Sequence, residues 1–228
     1  MLKTIRVEIW SDIACPWCYI GKHRFEAGAA AFREKHPDIN FEVTSHSFEL
    51  APDTPLDYAG SEVEFLVKHK GMPADQVQQM LAQMTQLAAG EGLTFRFDEV
   101  KHANTRLAHR MLHLALERGV QSEVQERLFE AYFAQSADLS DVETLVRLGA
   151  EAGLDAEDVR AALNDEAYGE KVDADITRAQ MLGVQGVPFF LLQGKYGISG
   201  AQQADAFAGA FAQVLELEAQ TESAEQAE

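Results

Sequence analysis

Apolar and polar residues alternate from Thr4 to Trp10, with Ile5, Val7 and Ile9 in step and β-branched types favoured, which predicts a strand. The stretch from Tyr19 through Phe25, Ala31 and Phe32 reads as a helix that ends toward His36-Pro37. Alternation returns over residues 40–48, where Phe41, Val43 and Phe48 are the apolar positions, and predicts a second strand. Strand, helix, strand makes a right-handed βαβ unit with its two strands parallel.

Ala51-Pro52-Asp53-Thr54-Pro55 breaks the pattern, and almost everything after it is helical. A short helix is expected over 61–70, and a second opens at Pro73 and ends near Gly90-Glu91-Gly92. Leu93 to Phe97 reads as a brief extended piece, and Asn104 or Thr105 caps a helix that runs to Arg118-Gly119. Further helices are expected at 121–135, 141–152, 155–163 and 166–182. The all-apolar run Phe189 to Leu192 suits a strand inside a sheet covered on both faces. Gln193-Gly194-Lys195 then supplies a hairpin turn, and Tyr196-Gly197-Ile198 an edge strand. A final helix starts at Ser199–Gln202, with Phe207, Phe211, Val214 and Leu215 on one face. Residues 218–228 are acidic and carry no core residue, so they are expected to be disordered.

Composition narrows the function classes. Nineteen Lys and Arg face 37 Asp and Glu in 228 residues, a formal charge of −18. Nucleic acids and anionic membranes attract basic surfaces, so neither is an expected partner. A hydrophobic content of 46% suits a soluble globular chain, and no uninterrupted apolar stretch is long enough to span a membrane. Met1-Leu2-Lys3-Thr4 runs straight into the first strand with no room for a signal peptide, so a cytoplasmic location is expected.

The two cysteines of the chain stand in Cys15-Pro16-Trp17-Cys18, at the junction of first strand and first helix. A tetrahedral zinc site needs about four ligands in paired spacing, and the seven histidines complete no such set; a redox pair is the stronger reading and no metal is expected. In a reducing compartment an isolated cysteine pair is more often catalytic than a permanent staple. Pro16 suits a first helical turn, whose N–H has no intrahelical partner. The leading cysteine then faces the positive helix end, where a thiolate is favoured.

Weaker candidates are His109 and His113, whose i, i+4 spacing can bind a metal but which lack a third ligand in register. A helix surface or a satisfied core is the preferred reading for them. Asn104 and Thr105 read as a cap first and a pocket wall second. Met80, Leu81, Met84 and Leu87 form an apolar stripe, either core or a methionine-rich groove for unfolded chain.

Four stretches carry a family resemblance: Ser11-Asp12-Ile13-Ala14-Cys15-Pro16-Trp17-Cys18-Tyr19-Ile20-Gly21-Lys22, Asn104-Thr105-Arg106-Leu107-Ala108-His109-Arg110, Gly186-Val187-Pro188-Phe189-Phe190 and Ile198-Ser199-Gly200-Ala201-Gln202. With the element order βαβ, helical block, αββα, the chain resembles the DsbA-like thioredoxin-fold oxidoreductases, and within them the FrnE-like cytoplasmic group. The resemblance implies an α/β, thioredoxin-like fold with an inserted helical domain. Residues 1–52 and 165–217 would form the thioredoxin-like part, 53–164 the helical insertion and 218–228 the acidic tail. It also implies that Pro188 is cis and faces the cysteines, although Val187-Pro188 alone would equally suit an ordinary trans proline at the start of a strand.

The residue types then assign roles. Cys15, expected to be exposed at the helix start, is the nucleophile, and Cys18, a turn further in, resolves the mixed disulfide. Trp17 shields the pair and offers substrate an apolar face, while the Val187 backbone pairs with an extended substrate segment beside Pro188. Pro16 and Asn104 support the site. Protein or small-thiol disulfides are the expected substrates, with no cofactor beyond the cysteine pair and glutathione as a candidate reductant. An alternative in the same fold is a glutathione-dependent chromene-carboxylate isomerase or kappa-class transferase. The chain departs from those at Cys15 and Cys18, and at Ala201-Gln202 where they tend to place an acidic–basic pair. A third reading is a holdase whose cysteines act only as a redox trigger.

Overall fold

In the computed structural model, which describes residues 3–58 and 60–225 (the side chains of 70 and 222–225 excepted), the chain opens with the expected βαβ unit. Strand β1 (Lys3–Ser11) leads into α1 (Pro16–Lys35), and β2 (Ile39–Ser47) returns parallel to β1 with Ile5 opposite Phe41 and Trp10 opposite His46. Helices α2 (Glu62–Lys70), α3 (Ala74–Gly90), α4 (Arg106–Arg118), α5 (Gln121–Gln135), α6 (Val142–Glu151) and α7 (Ala156–Asn164) follow. Helix α8 (Glu166–Met181) leads back to β3 (Phe189–Leu192), β4 (Tyr196–Ser199) and α9 (Ala204–Glu225). The sheet order is β2-β1-β3-β4, with β3 antiparallel to β1 and β4 antiparallel to β3. The family fold, a thioredoxin-like sheet with helices, is the one the resemblance implied.

Each boundary has a local cause. Ser61 and Glu64 close a capping box at the start of α2, and the Asp141, Asp155 and Asp165 side chains accept from first-turn N–H groups of α6, α7 and α8. The β3–β4 hairpin turns through Gln193 and Gly194, both at positive φ, with Lys195 N–H donating to the Leu192 carbonyl at 3.0 Å. Leu93 to Arg96 forms no strand; Leu93, Phe95 and Phe97 are buried and Arg96 N–H donates to the Phe133 carbonyl.

Strand β3 is buried on both faces, as its unbroken apolar run requires. Phe190 and Leu192 join Phe25, Phe32, Phe207 and Phe211 between the sheet, α1 and α9, while Leu191 packs with Trp10, Ala179 and Val184. Burying each of these large side chains contributes on the order of 2–3 kcal/mol. Helix α9 approaches α1 so closely that a Cβ on Gly28 would stand 2.6 Å from the Ala204 carbonyl oxygen. The helical block has its own large cluster, and Cys15, Cys18, Tyr19 and Ile20 belong to it. Tyr19 stacks on Phe129 at 4.8 Å with the rings 9° apart, so the start of α1 is clamped by α5 of the helical block.

One expectation fails in the tail. Residues 218–225 are not disordered but continue α9; 226–228 lie outside the described residues. Their Ala, Glu and Gln are strong helix formers that extend a helix already anchored by Phe207, Phe211 and Val214. Glu218 also accepts from Lys195 Nζ at 3.1 Å and from the Tyr196 hydroxyl at 3.5 Å, which ties the segment to the hairpin. Among the described residues, no helix is long and apolar enough to cross a membrane.

Candidate active site

Strand β1 ends at Ser11, and the turn through Asp12 delivers Cys15 as the N-cap of α1, its backbone extended (φ −95°, ψ 110°). Pro16 occupies the first turn, and the Cys15 carbonyl accepts from Cys18 N–H at 3.0 Å and Tyr19 N–H at 3.4 Å. Both cysteines are free thiols in one turn of backbone. Cys15 is only 4% exposed, and Cys18 2%. Cys15 was expected to be exposed, and this is a correction: its Sγ lies 3.8 Å from the Val187 carbonyl oxygen and its side chain sits within the helical cluster. It reaches the outside by lining a cavity of about 440 Å³. Burial pushes the Cys18 thiol well above the ordinary range, and the neighbouring Cys15 adds to this, against weaker pulls from the Ser11 side chain and Asp12 backbone.

The segment before β3 closes one side. The Val187-Pro188 peptide bond is cis, and Pro188 is buried against α1. A Cβ on Gly21 would stand 2.8 Å from Pro188 Cγ, so only glycine lets the proline approach there. Trp17 lies on the outer side, 40% exposed, and lines the cavity together with Pro16.

Asn104 is buried and is not itself a lining residue. Its Nδ2 donates to the Thr54 carbonyl at 2.8 Å and its Oδ1 accepts from Arg106 N–H at 2.9 Å. It therefore does the capping of α4, where the Thr105 side chain makes no cap bond, and holds the 54 loop in place. Thr105 lines the cavity.

The opposite wall comes from α2 and α3. Met80, Leu81 and Met84 of the apolar stripe face the cavity, with Phe65 and Leu66; Leu87 packs into the core instead. Set among these apolar groups is a buried polar chain that sequence reasoning missed. Thr54 Oγ1 lies 3.3 Å from His102 Nε2, and His102 Nδ1 lies 3.0 Å from Glu62 Oε2, which also accepts from the Tyr132 hydroxyl at 3.4 Å. A carboxylate only accepts, so Nδ1 carries the hydrogen of the bond to Glu62. The participants are 40 and 48 residues apart, and no local pattern signals them.

Asp12 was also missed. Burial raises its carboxyl, but hydrogen bonds from His109, Leu50 N–H and Thr105 outweigh this and hold it below the usual carboxylate range. His109 and His113 are buried and diverge, His109 Nε2 to Asp12 at 3.3 Å and His113 Nε2 to Asp175 at 3.3 Å. Each has its own carboxylate partner, so the two form no shared ligand set, although His109 Nδ1 is buried without a hydrogen-bond partner. His23, Glu26 and Glu126 also lie close enough to hold an ion, but the Lys22 ammonium already sits among them, 2.7 Å from Glu26 and 2.6 Å from Glu126.

The DSBA-like thioredoxin domain family matches residues 6–212. This chain belongs to that family. A probable DsbA oxidoreductase from Streptomyces coelicolor is 44% identical over 93% of this chain and 90% of its own, with a TM-score of 0.87. The uncharacterised protein YwbO of Bacillus subtilis is 28% identical over 208 residues, 90% of this chain and 94% of its own. DsbM of Pseudomonas aeruginosa, a cytosolic disulfide reductase whose structure was determined with glutathione, is 19% identical over 92% of this chain and 99% of its own, with a TM-score of 0.65. That last likeness is one of fold.

Proposed function

We propose that this chain is a thiol–disulfide oxidoreductase in which Cys15 exchanges with a protein or small-thiol disulfide and Cys18 resolves the product. The observation that carries the reading is the placement of two free thiols in one helical turn, Cys15 lining a cavity and Cys18 behind it. The Cys15 thiolate attacks one substrate sulfur, the substrate S–S bond breaks, and the leaving sulfur takes a proton. Cys18, once deprotonated, attacks Cys15 Sγ and releases the second substrate thiol. The chain ends with a Cys15–Cys18 disulfide and the substrate gains two electrons and two protons. The reverse sequence oxidises a dithiol.

The Val187 carbonyl beside Cys15 Sγ suits an extended substrate strand, and Pro188, lacking an N–H, fills the space next to Gly21. The same reading makes residues 1–52 and 165–217 the thioredoxin-like part and 53–164 an insertion that walls the site. It assigns the chain to the FrnE-like group, to the cytoplasm and to a small thiol as its reductant, with no further cofactor. The glutathione-dependent isomerase alternative is less well supported. The Ala201 carbonyl accepts from Arg24 at 2.8 Å and Gln202 Nε2 donates to the Ser199 carbonyl at 2.8 Å, so neither presents the acidic–basic pair.

The test is trapping. Cys18→Ser should accumulate mixed disulfides with substrate through Cys15, and Cys15→Ser should lose exchange and trap none. A Cys15→Ser variant that keeps the parent rate overturns the reading.

A further inference from the structure

We propose, resting on that reading of the site, that the cavity beside Cys15 sorts its disulfide partners by charge, accepting polypeptide disulfides flanked by apolar and basic residues and disfavouring anionic ones, glutathione disulfide among them. Among the described residues, the lining carries three carboxyl groups, Asp12, Asp53 and Glu62, and no lysine or arginine. Its basic members are His69 and His102, and both are engaged: His69 Nδ1 with the Phe65 carbonyl and His102 with Glu62 and Thr54. The Arg106 guanidinium, next to the lining residue Thr105, is likewise paired, with Glu49 and Asp173. Asp12 stays anionic because donors from His109, Leu50 and Thr105 surround it. Asp53 is exposed beside it in the wall formed by residues 50–54.

An incoming carboxylate therefore meets like charge and finds no free cation among the described lining residues, whereas a lysine or arginine finds a counter-charge at Asp53. The volume of about 440 Å³, bounded by Phe65, Met80, Leu81 and Met84, suits one or two large apolar side chains next to the reacting cysteine. Glutathione offers neither, since it carries more carboxylates than ammonium groups and no large apolar side chain. Asp53 and Glu62 are thus the specificity-determining residues of the site.

The experiment mixes reduced protein with short peptide disulfides of one sequence, varied only at the flanking residue as Lys, Gln or Glu, and with glutathione disulfide. Second-order rate constants should fall from Lys to Glu by about tenfold at low ionic strength, and the spread should narrow as salt is added. Asp53→Lys, at an exposed position that leaves packing alone, should flatten or invert the order, and Glu62→Gln should reduce it. Asp38→Lys, exposed just before β2, changes net charge by the same two units as Asp53→Lys and should leave the order intact. The proposal is overturned if the Glu peptide or glutathione disulfide reacts as fast as the Lys peptide. It is equally overturned if Asp38→Lys shifts the ratio as much as Asp53→Lys. Failure of every disulfide to react would instead remove the oxidoreductase reading beneath it, and charge sorting with it.

Discussion

Cys15 Sγ stands 3.8 Å from the carbonyl oxygen of Val187, a residue 172 positions further along the chain. The antiparallel pairing of β1 with β3 makes this approach: Trp10 is opposite Phe189, so the residues just after β1 and just before β3 emerge at the same sheet end. The site is therefore a product of strand register. A slip of one residue would turn Phe190 and Leu192 out of the core and carry Val187 away from the sulfur.

The first prediction concerns the two thiols. Burial pushes the Cys18 thiol up, and Cys15 alone of the pair lines the cavity. In the reduced protein near neutral pH, an alkylating agent should label Cys15 at least roughly tenfold faster than Cys18, because thiolate fraction and access both favour it. Cys18 should gain ground as pH rises. Mass spectrometry of the labelled peptides over time checks this, and equal rates would remove the division of roles.

The second uses the contact between Gly21 and Pro188. Gly21→Ala puts a methyl 2.8 Å from Pro188 Cγ, which must shift the proline segment off α1. The expected cost is about 1–3 kcal/mol, with slower exchange as Val187 moves from the sulfur. Pro188→Ala removes the clashing Cγ, so the double variant should be more stable than the two single changes summed. Urea unfolding of all four proteins measures the coupling; strict additivity would sink the argument.

Much of this frame was readable from sequence because its causes are local. Phe189–Leu192 is unbroken and apolar, Gln193-Gly194 is a turn pair, and the limits of α5 are those of its helical stretch. The site was readable only in part. Cys15-Pro16-Trp17-Cys18 announces itself, but the burial of Cys15 comes from Val187 and the helical block, which no local pattern reports. Thr54, Glu62 and His102 meet only because α2 and the 102 loop fold together, and each alone looks like a surface residue. The acidic tail shows the opposite error: composition suggested disorder where helix propensity and the Lys195–Glu218 pair extend α9.

A third prediction follows from Asp175, which receives His46 Nδ1–H at 2.7 Å and Ser47 N–H at 2.8 Å, with His113 Nε2 at 3.3 Å. Burial raises its carboxyl, but the bonds to His113 and His46 prevail and hold it well below the usual range. A folded-state value below the unfolded one adds stability above about pH 4, and that stability is lost as pH falls toward the folded value. Asp175→Asn should therefore cost roughly 3 kcal/mol near neutrality. The gap to the parent should close on acidification. Denaturant midpoints of both proteins across that range decide it; a gap that stays constant with pH would show that the charge is not what stabilises.

The last prediction concerns Trp17, which sits between the cysteines, half-exposed and in the cavity wall. Its indole offers a single neutral N–H, so it shields the pair without supplying charge. Histidine at this position would bring a titrating cation to the same wall, within the field of the Cys15 sulfur at the helix start. A cation there stabilises the thiolate form of the reduced protein and leaves the disulfide form almost untouched. The reduced state is then favoured and the disulfide becomes the stronger oxidant. For this two-electron couple, a tenfold change in the equilibrium is about 30 mV, so Trp17→His should raise the potential by tens of millivolts. The sign with pH is also fixed. The histidine is charged below its ordinary value near 6.5, so the difference from the parent should be largest in mild acid and fade as pH rises past about 7.5. Equilibration of both proteins with a thiol buffer at several pH values measures it. A shift of the same size at every pH would mean that lost bulk, not gained charge, sets the potential, and no shift at all would remove residue 17 from the redox chemistry.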